Sequence, residues 1–237
     1  MVFSISSIIM AVSAFMVMFF SYTRYEIFQR NRSNKITFFF WCASSAFSLA
    51  LLLYALSGVL LTTDTSLLSS FIVSIALIIT SIGIGFFLMI PFYSWGSAYF
   101  FVFAKYSIYL FLLSHIGFLL IYPPAPYTDL FGITHWGIHA YLKWILGTFY
   151  LLPFVFNIVL LVKFLLHAPK KFQKNTSTLI IAFLLTGIGG SYQYIGDDTT
   201  LLTASLLTIL LGSIILLYNT FITRSYMKEK DFMAHHG

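Results

Sequence analysis

His135, His139 and Lys143 stand four residues apart in the run THWGIHAYLKW, and with Trp136 they form the densest polar stripe of any apolar segment. On one continuous helix that spacing stacks the three side chains along a single face. Two imidazoles at i and i+4 are able to share a metal ion. Trp136, however, fills the position that glutamate holds in an HExxH sequence, so a third ligand would have to come from Asp129, Asp197 or Asp198. Two other readings stand beside metal binding. In one, both histidines are hydrogen-bonding anchors in the headgroup region; in the other, they face a ligand. Haem ligation would need imidazoles on opposite faces of a porphyrin, and the one further candidate is His115, whose place after Ser114 suits a packing or hydrogen-bonding role better. No metal and no cofactor is expected.

Lys143 falls about two turns into the segment. Its ammonium either snorkels to the interface or points into the bundle, where it needs a counter-ion or an anionic ligand. The stretch GGSYQYIGDDTT supplies Asp197 and Asp198 at a comparable depth, with Tyr192 and Tyr194 beside them. Lys143, His139, Tyr194 and Asp197 are therefore expected to meet at one mouth of the bundle. A retinal pigment is not expected, because Leu201 to Ile222 contains no lysine for a Schiff base. No nucleophile elbow, P-loop or intramembrane pair of carboxylates is present, so the reading is of a protein that is not an enzyme.

The elements that must hold these residues are apolar throughout. The 237 residues are 59% hydrophobic and 8% charged, with a mean hydropathy of +0.93, where a soluble domain carries about 25% charged residues. Seven segments of spanning length can be drawn, at roughly 2–22, 36–60, 68–91, 99–122, 135–163, 177–195 and 201–222. This predicts an all-α polytopic membrane protein, with a seven-helix domain over 1–222 and a short basic tail over 223–237. The fifth segment is expected at the centre, with the other six as walls around it. Pro153 should kink it. Pro91 and the aromatic run after it, Phe92, Tyr93, Trp95 and Tyr99, read as an interfacial turn. Cys42 lies in an apolar run and excludes an internal disulfide, being the one cysteine.

Charge sorts onto alternate connections. The first holds Arg24, Arg30, Arg32 and Lys35; the third Lys105; the fifth Lys163, Lys170, Lys171 and Lys174; the tail Arg224, Lys228 and Lys230. The even connections carry Asp64, Asp129, Asp197 and Asp198 and no basic residue. By the positive-inside rule the N-terminus lies outside and the C-terminus in the cytoplasm. The net charge of +6 thus reports topology, and nucleic acid is not an expected partner; the lipid bilayer is. Residues 1–20 lack the basic start and the small-residue cleavage site of a signal peptide and read as a retained first helix.

The pattern of Gly132, Trp136, Ile138, His139 and Tyr141 before a long aliphatic helix and a basic loop is one half of a larger likeness. Tyr194 and Gly196, then Asp197 and Asp198, then a last helix ending at Arg224 form the other half, with Ser114, His115 and Trp41 in supporting places. In these features the chain resembles the seven-helix N-terminal sensor region of bacterial histidine kinases, over most of its length. It departs from that family in helix six, which reads LLTGIGGSY in place of a proline-containing stretch, and no kinase output region follows Arg224. The resemblance implies a sensor in a bacterial inner membrane. A small ligand or lipid would bind between the outer ends of helices four to seven, at His115, His135, Trp136, His139, Lys143, Tyr194 and Asp197, and the signal would pass through a protein partner. The alternative is an accessory or structural subunit of a larger membrane complex. A transporter is disfavoured by the lack of an internal repeat and of broken midplane helices.

Overall fold

A computed structural model of the chain describes residues 4–61, 66–96 and 98–236, with the side chains at 98, 100, 171 and 228–236 outside the description. Asp64 and the side chains of Lys171, Lys228 and Lys230 therefore fall outside it. The described residues form α1 (Ile5–Arg30), α2 (Lys35–Leu61), α3 (Ser66–Ser94), α4 (Ala98–Ile121), a two-stranded hairpin of β1 (Tyr127–Thr128) and β2 (Thr134–His135), then α5 (Ala140–His167), α6 (Lys170–Ile195) and α7 (Thr199–His236). Each of the seven helices includes a stretch long and apolar enough to cross a membrane. Apolar runs of this length become helices because lipid offers no partner for backbone N–H and C=O groups, and a helix satisfies them internally. The build is that of an integral membrane protein.

Six of the helices close into a ring. α1 packs between α2 and α7, α2 meets α3, α3 meets α5, and α5 and α6 lead back to α7. α4 stands outside the ring against α3. The fifth helix is thus a ring member and not the centre that its polar stripe suggested. Glycines set the close contacts of α6. A Cβ on Gly189 would come within 2.9 Å of the Ser205 carbonyl oxygen on α7, and one on Gly187 within 2.8 Å of Phe154 on α5. Ser191 Oγ donates to the Gly147 carbonyl at 2.8 Å, joining α6 to α5. In lipid, such small-residue contacts and interhelical hydrogen bonds replace the hydrophobic effect as the force between helices. The glycines of GIGG therefore have a packing role.

Two apolar clusters fill the ring. One lies toward the hairpin and includes Met10, Tyr54, Val73, Leu77, Trp136, Leu146 and Leu206. The other lies toward the basic end and is rich in phenylalanine: the Phe87 ring centre is 4.9 Å from those of both Phe154 and Phe183. The prolines do not end their helices. Pro91 lies inside α3, which runs on to Ser94, so the expected interfacial turn begins later, at Trp95 and Gly96. Pro153 lies inside α5, where Asn157 Nδ2 donates to its carbonyl at 2.8 Å and to Phe87 O of α3 at 2.9 Å. α6 starts at Lys170, earlier than the expected 177, which places Lys170 and Lys174 in its first turns.

Candidate functional site

The connection between α4 and α5 builds the mouth of the ring. It turns on Asp129, whose Oδ1 accepts the backbone N–H groups of Phe131 and Ile133, both at 2.9 Å. Its Oδ2 accepts Thr199 Oγ1 at 2.7 Å and lies 3.2 Å from His135 Nε2. Asp129 thereby clamps the hairpin to the start of α7. Its limited burial would raise the carboxyl pKa, but the hydrogen bonds from Ile133, Thr199, His135 and Phe131 outweigh that and hold it below the ordinary carboxylate value. The N-terminus of α1 closes the other side. Ser4 Oγ bonds the Gly132 carbonyl and Thr134 Oγ1, each at 2.9 Å, and Ser6 Oγ accepts the Thr134 N–H at 2.9 Å.

After the hairpin the chain passes Gly137 at φ +61°, with its carbonyl accepting the Ala125 N–H at 3.1 Å. This left-handed step holds the helix start back to Ala140, so His135, His139 and Lys143 do not share one helix face. His135 is in β2, its ring stacked on Tyr127 at 4.6 Å. His139 precedes α5 as its exposed cap residue and turns away from the ring, its ring centre 4.8 Å from that of Tyr122 and 5.9 Å from that of Phe118 on α4. Among the described residues no three His, Cys, Asp or Glu side chains converge.

The same step drives Trp136 into the ring. Its Nε1 donates to Gln193 Oε1 at 3.2 Å, and its ring lies 4.6 Å from that of Tyr54. Gln193 Nε2 in turn donates to the Leu202 carbonyl at 3.1 Å and to Ser205 Oγ. The Tyr54 and Tyr194 hydroxyls are 3.3 Å apart. All four of these aromatic and amide side chains are buried. Above them a shallow polar hollow of about 410 Å³ is lined by Tyr127, His135, Trp136, Lys143, Tyr194 and Asp197 among others. Lys143 Nζ pairs with Asp197 Oδ1 across it, the Asp197 side chain being 78% exposed.

Below them the ring surrounds a partly open cavity whose space between the lining atoms, its open side included, is about 840 Å³. Every ring helix lines it: α1 through Met10, α2 through Phe47, α3 through Thr80, α5 through Tyr150, α6 through Phe183 and α7 through Ser213. Its walls are mostly apolar and aromatic, and Thr80, Tyr54, Tyr194 and Gln193 give it a polar lid.

Of the residues expected at one mouth, Trp136, His135, Lys143, Tyr194 and Asp197 do meet there. His139 and His115 do not. His115 on α4 faces α3, with Nδ1 2.7 Å from Ser81 Oγ, and lines neither space. α4 stands outside the ring, and the expected residues that do meet come from the hairpin, α5, the end of α6 and the connection after it. Tyr54, Gln193 and the phenylalanine walls escaped the sequence reading because each is an isolated residue in an apolar run, with no spacing to mark it. Comparison of the chain with protein-family models, with curated protein sequences and with solved structures gives no match. The seven spanning helices alone define the class, a polytopic membrane protein with an internal cavity.

Proposed function

We propose that the protein is a membrane-embedded receptor-like module that takes a small, largely apolar molecule into its helical ring and passes its occupancy to a protein partner. The observation that carries this is the cavity to which all six ring helices contribute a wall. A molecule in that space touches every helix of the ring, so it biases one packing of the ring over another by its differential contacts. α7 contributes to the wall through Ile209, Ser213 and Leu216 and continues past the basic end, which makes it the element that carries the shift outward. Basic residues gather at the end of the ring opposite the hairpin, which by the positive-inside rule supports a hairpin end outside and an α7 end in the cytoplasm. No catalytic role is proposed for any residue.

The test is to extract the protein with its native lipid and identify by mass spectrometry the molecules that stay bound. The wild-type chain should retain an apolar molecule at about one per chain, and Ala50→Phe, which fills part of the cavity, should not. Equal retention by the two would refute the cavity as the site. For orientation, a cysteine at Ser66 or Leu130 in a Cys42→Ala background should react with an impermeant reagent from outside, and one at Ser33 or His167 should not. All four positions are exposed.

One observation favours the accessory-subunit reading. α4 leans on the outside of the ring and leaves Tyr99, Tyr106 and Tyr109 exposed, a hydroxyl-rich face unlike the other helices. Co-purification of stoichiometric membrane subunits that are lost when Tyr106 and Tyr109 become leucine would support that reading.

A further inference from the structure

The ring closes where α1 meets α7, and the outer side of that seam is a groove. Phe15 and Phe19 of α1 and Leu217 and Phe221 of α7 wall it, and Arg224 lines its basic end. Thr220 is the other polar residue along it, and its hydroxyl is spent on the Leu216 carbonyl at 3.0 Å. Phe15, Phe19 and Phe221 are exposed, so the groove opens to the bilayer, and none of its residues lines the ring cavity. Arg224 Nη2 donates to Glu26 Oε2 at 3.0 Å, and the guanidinium carbon lies 5.5 Å from the Tyr22 ring centre. These two contacts hold the guanidinium at the groove. Its Nε is buried without a partner, whereas Nη1 is not buried and makes no hydrogen bond among the described residues.

Depth along the helix decides what fits. Arg224 lies roughly 38 Å along α7 from Thr199, past the ~30 Å of a hydrocarbon core and so at headgroup level. From Arg224 back to Leu217 is roughly 10 Å of helix, within the ~15 Å of a single leaflet. A phosphate at the arginine with one acyl chain below it matches that layout. The free Nη1 amino group offers charge-assisted N–H···O bonds to phosphate oxygens. Glu26 balances Arg224 itself, but residues 24–35 and 224–231 hold seven basic side chains against three acidic ones. That excess draws an anionic headgroup and repels the ammonium of a zwitterionic one.

We infer that the outer groove between α1 and α7 seats one anionic phospholipid from the leaflet at the basic end. Its phosphate lies on Nη1 of Arg224, and one acyl chain runs along Phe15, Phe19 and Phe221. Bound there, the lipid bridges the seam that closes the ring. The inference stands apart from the ring cavity and whatever occupies it.

The experiment uses the full chain in detergent and native mass spectrometry with two probes of identical tails, dioleoylphosphatidylglycerol and dioleoylphosphatidylcholine. The first lipid bound should be the glycerol lipid, held ten-fold or more tighter than the choline lipid. Arg224→Met combined with Glu26→Gln removes the ion pair without changing the net charge, and it should cut that preference at least three-fold. Phe19→Ala with Phe221→Ala removes two walls of the groove, and it should weaken both lipids alike while keeping the preference. Equal first-lipid binding by the wild-type chain, or an undiminished preference in the Arg224 and Glu26 double variant, would overturn the inference. Unchanged affinities in the phenylalanine variant would overturn the groove as the seat of the chain. Should the Arg224 and Glu26 double variant fail to fold, the wild-type comparison and the phenylalanine variant decide the matter.

Discussion

Asp129 offers the sharpest test of how the mouth is held, because one carboxylate serves four donors on two elements. Asp129→Asn keeps an Oδ1 that accepts from Phe131 and Ile133, but it puts an NH₂ group where Thr199 and His135 now donate. Two hydrogen bonds to a charged acceptor are lost, each worth about 1.5–3 kcal/mol where water is excluded. The Asp129 side chain is 16% exposed, so water replaces part of that, and the expected loss is about 2 kcal/mol. For a chain of this size that is a fall of roughly 4–8 °C in Tm, read by circular dichroism in detergent. Asp129→Ala, which also frees the two turn N–H groups, should lose more.

The pH dependence follows from the same bonds. The folded carboxyl is held below its ordinary value, so its contribution is fully present above the unfolded pKa of about 3.9 and is lost as pH falls through the lower folded value. Asparagine does not titrate. The gap between wild type and Asp129→Asn should therefore be constant from pH 7 to about 5 and shrink below about 4. A variant as stable as wild type, or a gap that persists undiminished into acid, would refute the clamp between the hairpin and α7.

Lys143→Met should cost no more than about 0–1 kcal/mol and add independently to Asp197→Asn, because the partner carboxylate is largely in solvent; a loss of 3 kcal/mol with recovery in the double variant would show a buried pair. Gln193→Leu should cost about 1–3 kcal/mol, since it leaves the Trp136 N–H buried without its acceptor, and Trp136 fluorescence should shift with it. Gly137→Ala should be clearly worse than Gly96→Ala in a thermal melt. Both sit at positive φ, which costs about 1–2 kcal/mol for alanine, but a Cβ at 137 would lie 1.9 Å from Ala125 O while one at 96 meets nothing within 4 Å. Equal effects would mean that the Ala125–Gly137 contact does not hold the mouth.

The sequence alone determined the seven helices and the sorting of charge between the two ends, since both follow from local composition against the membrane. Apolar runs of spanning length have one way to satisfy their backbones in lipid, and each basic cluster lies at a helix end that chain length assigns. The meeting of Lys143 with Asp197 was legible for the same reason: both lie near helix ends on the same side. Tertiary structure decided what turned on contacts between distant residues. The i, i+4, i+8 stripe of His135, His139 and Lys143 dissolves because Gly137 adopts a left-handed conformation bonded to Ala125, a pairing that helical spacing does not foresee. α5 takes its place in the ring, and α4 is left outside, because helix order in a bundle depends on which faces fit. The glycines of α6 fit α5 and α7 at once. Arg24 reads in the sequence as one more positive charge at the inner interface. Only the closing of α1 against α7 sets it on the Phe20 ring and within hydrogen-bonding reach of Asn219.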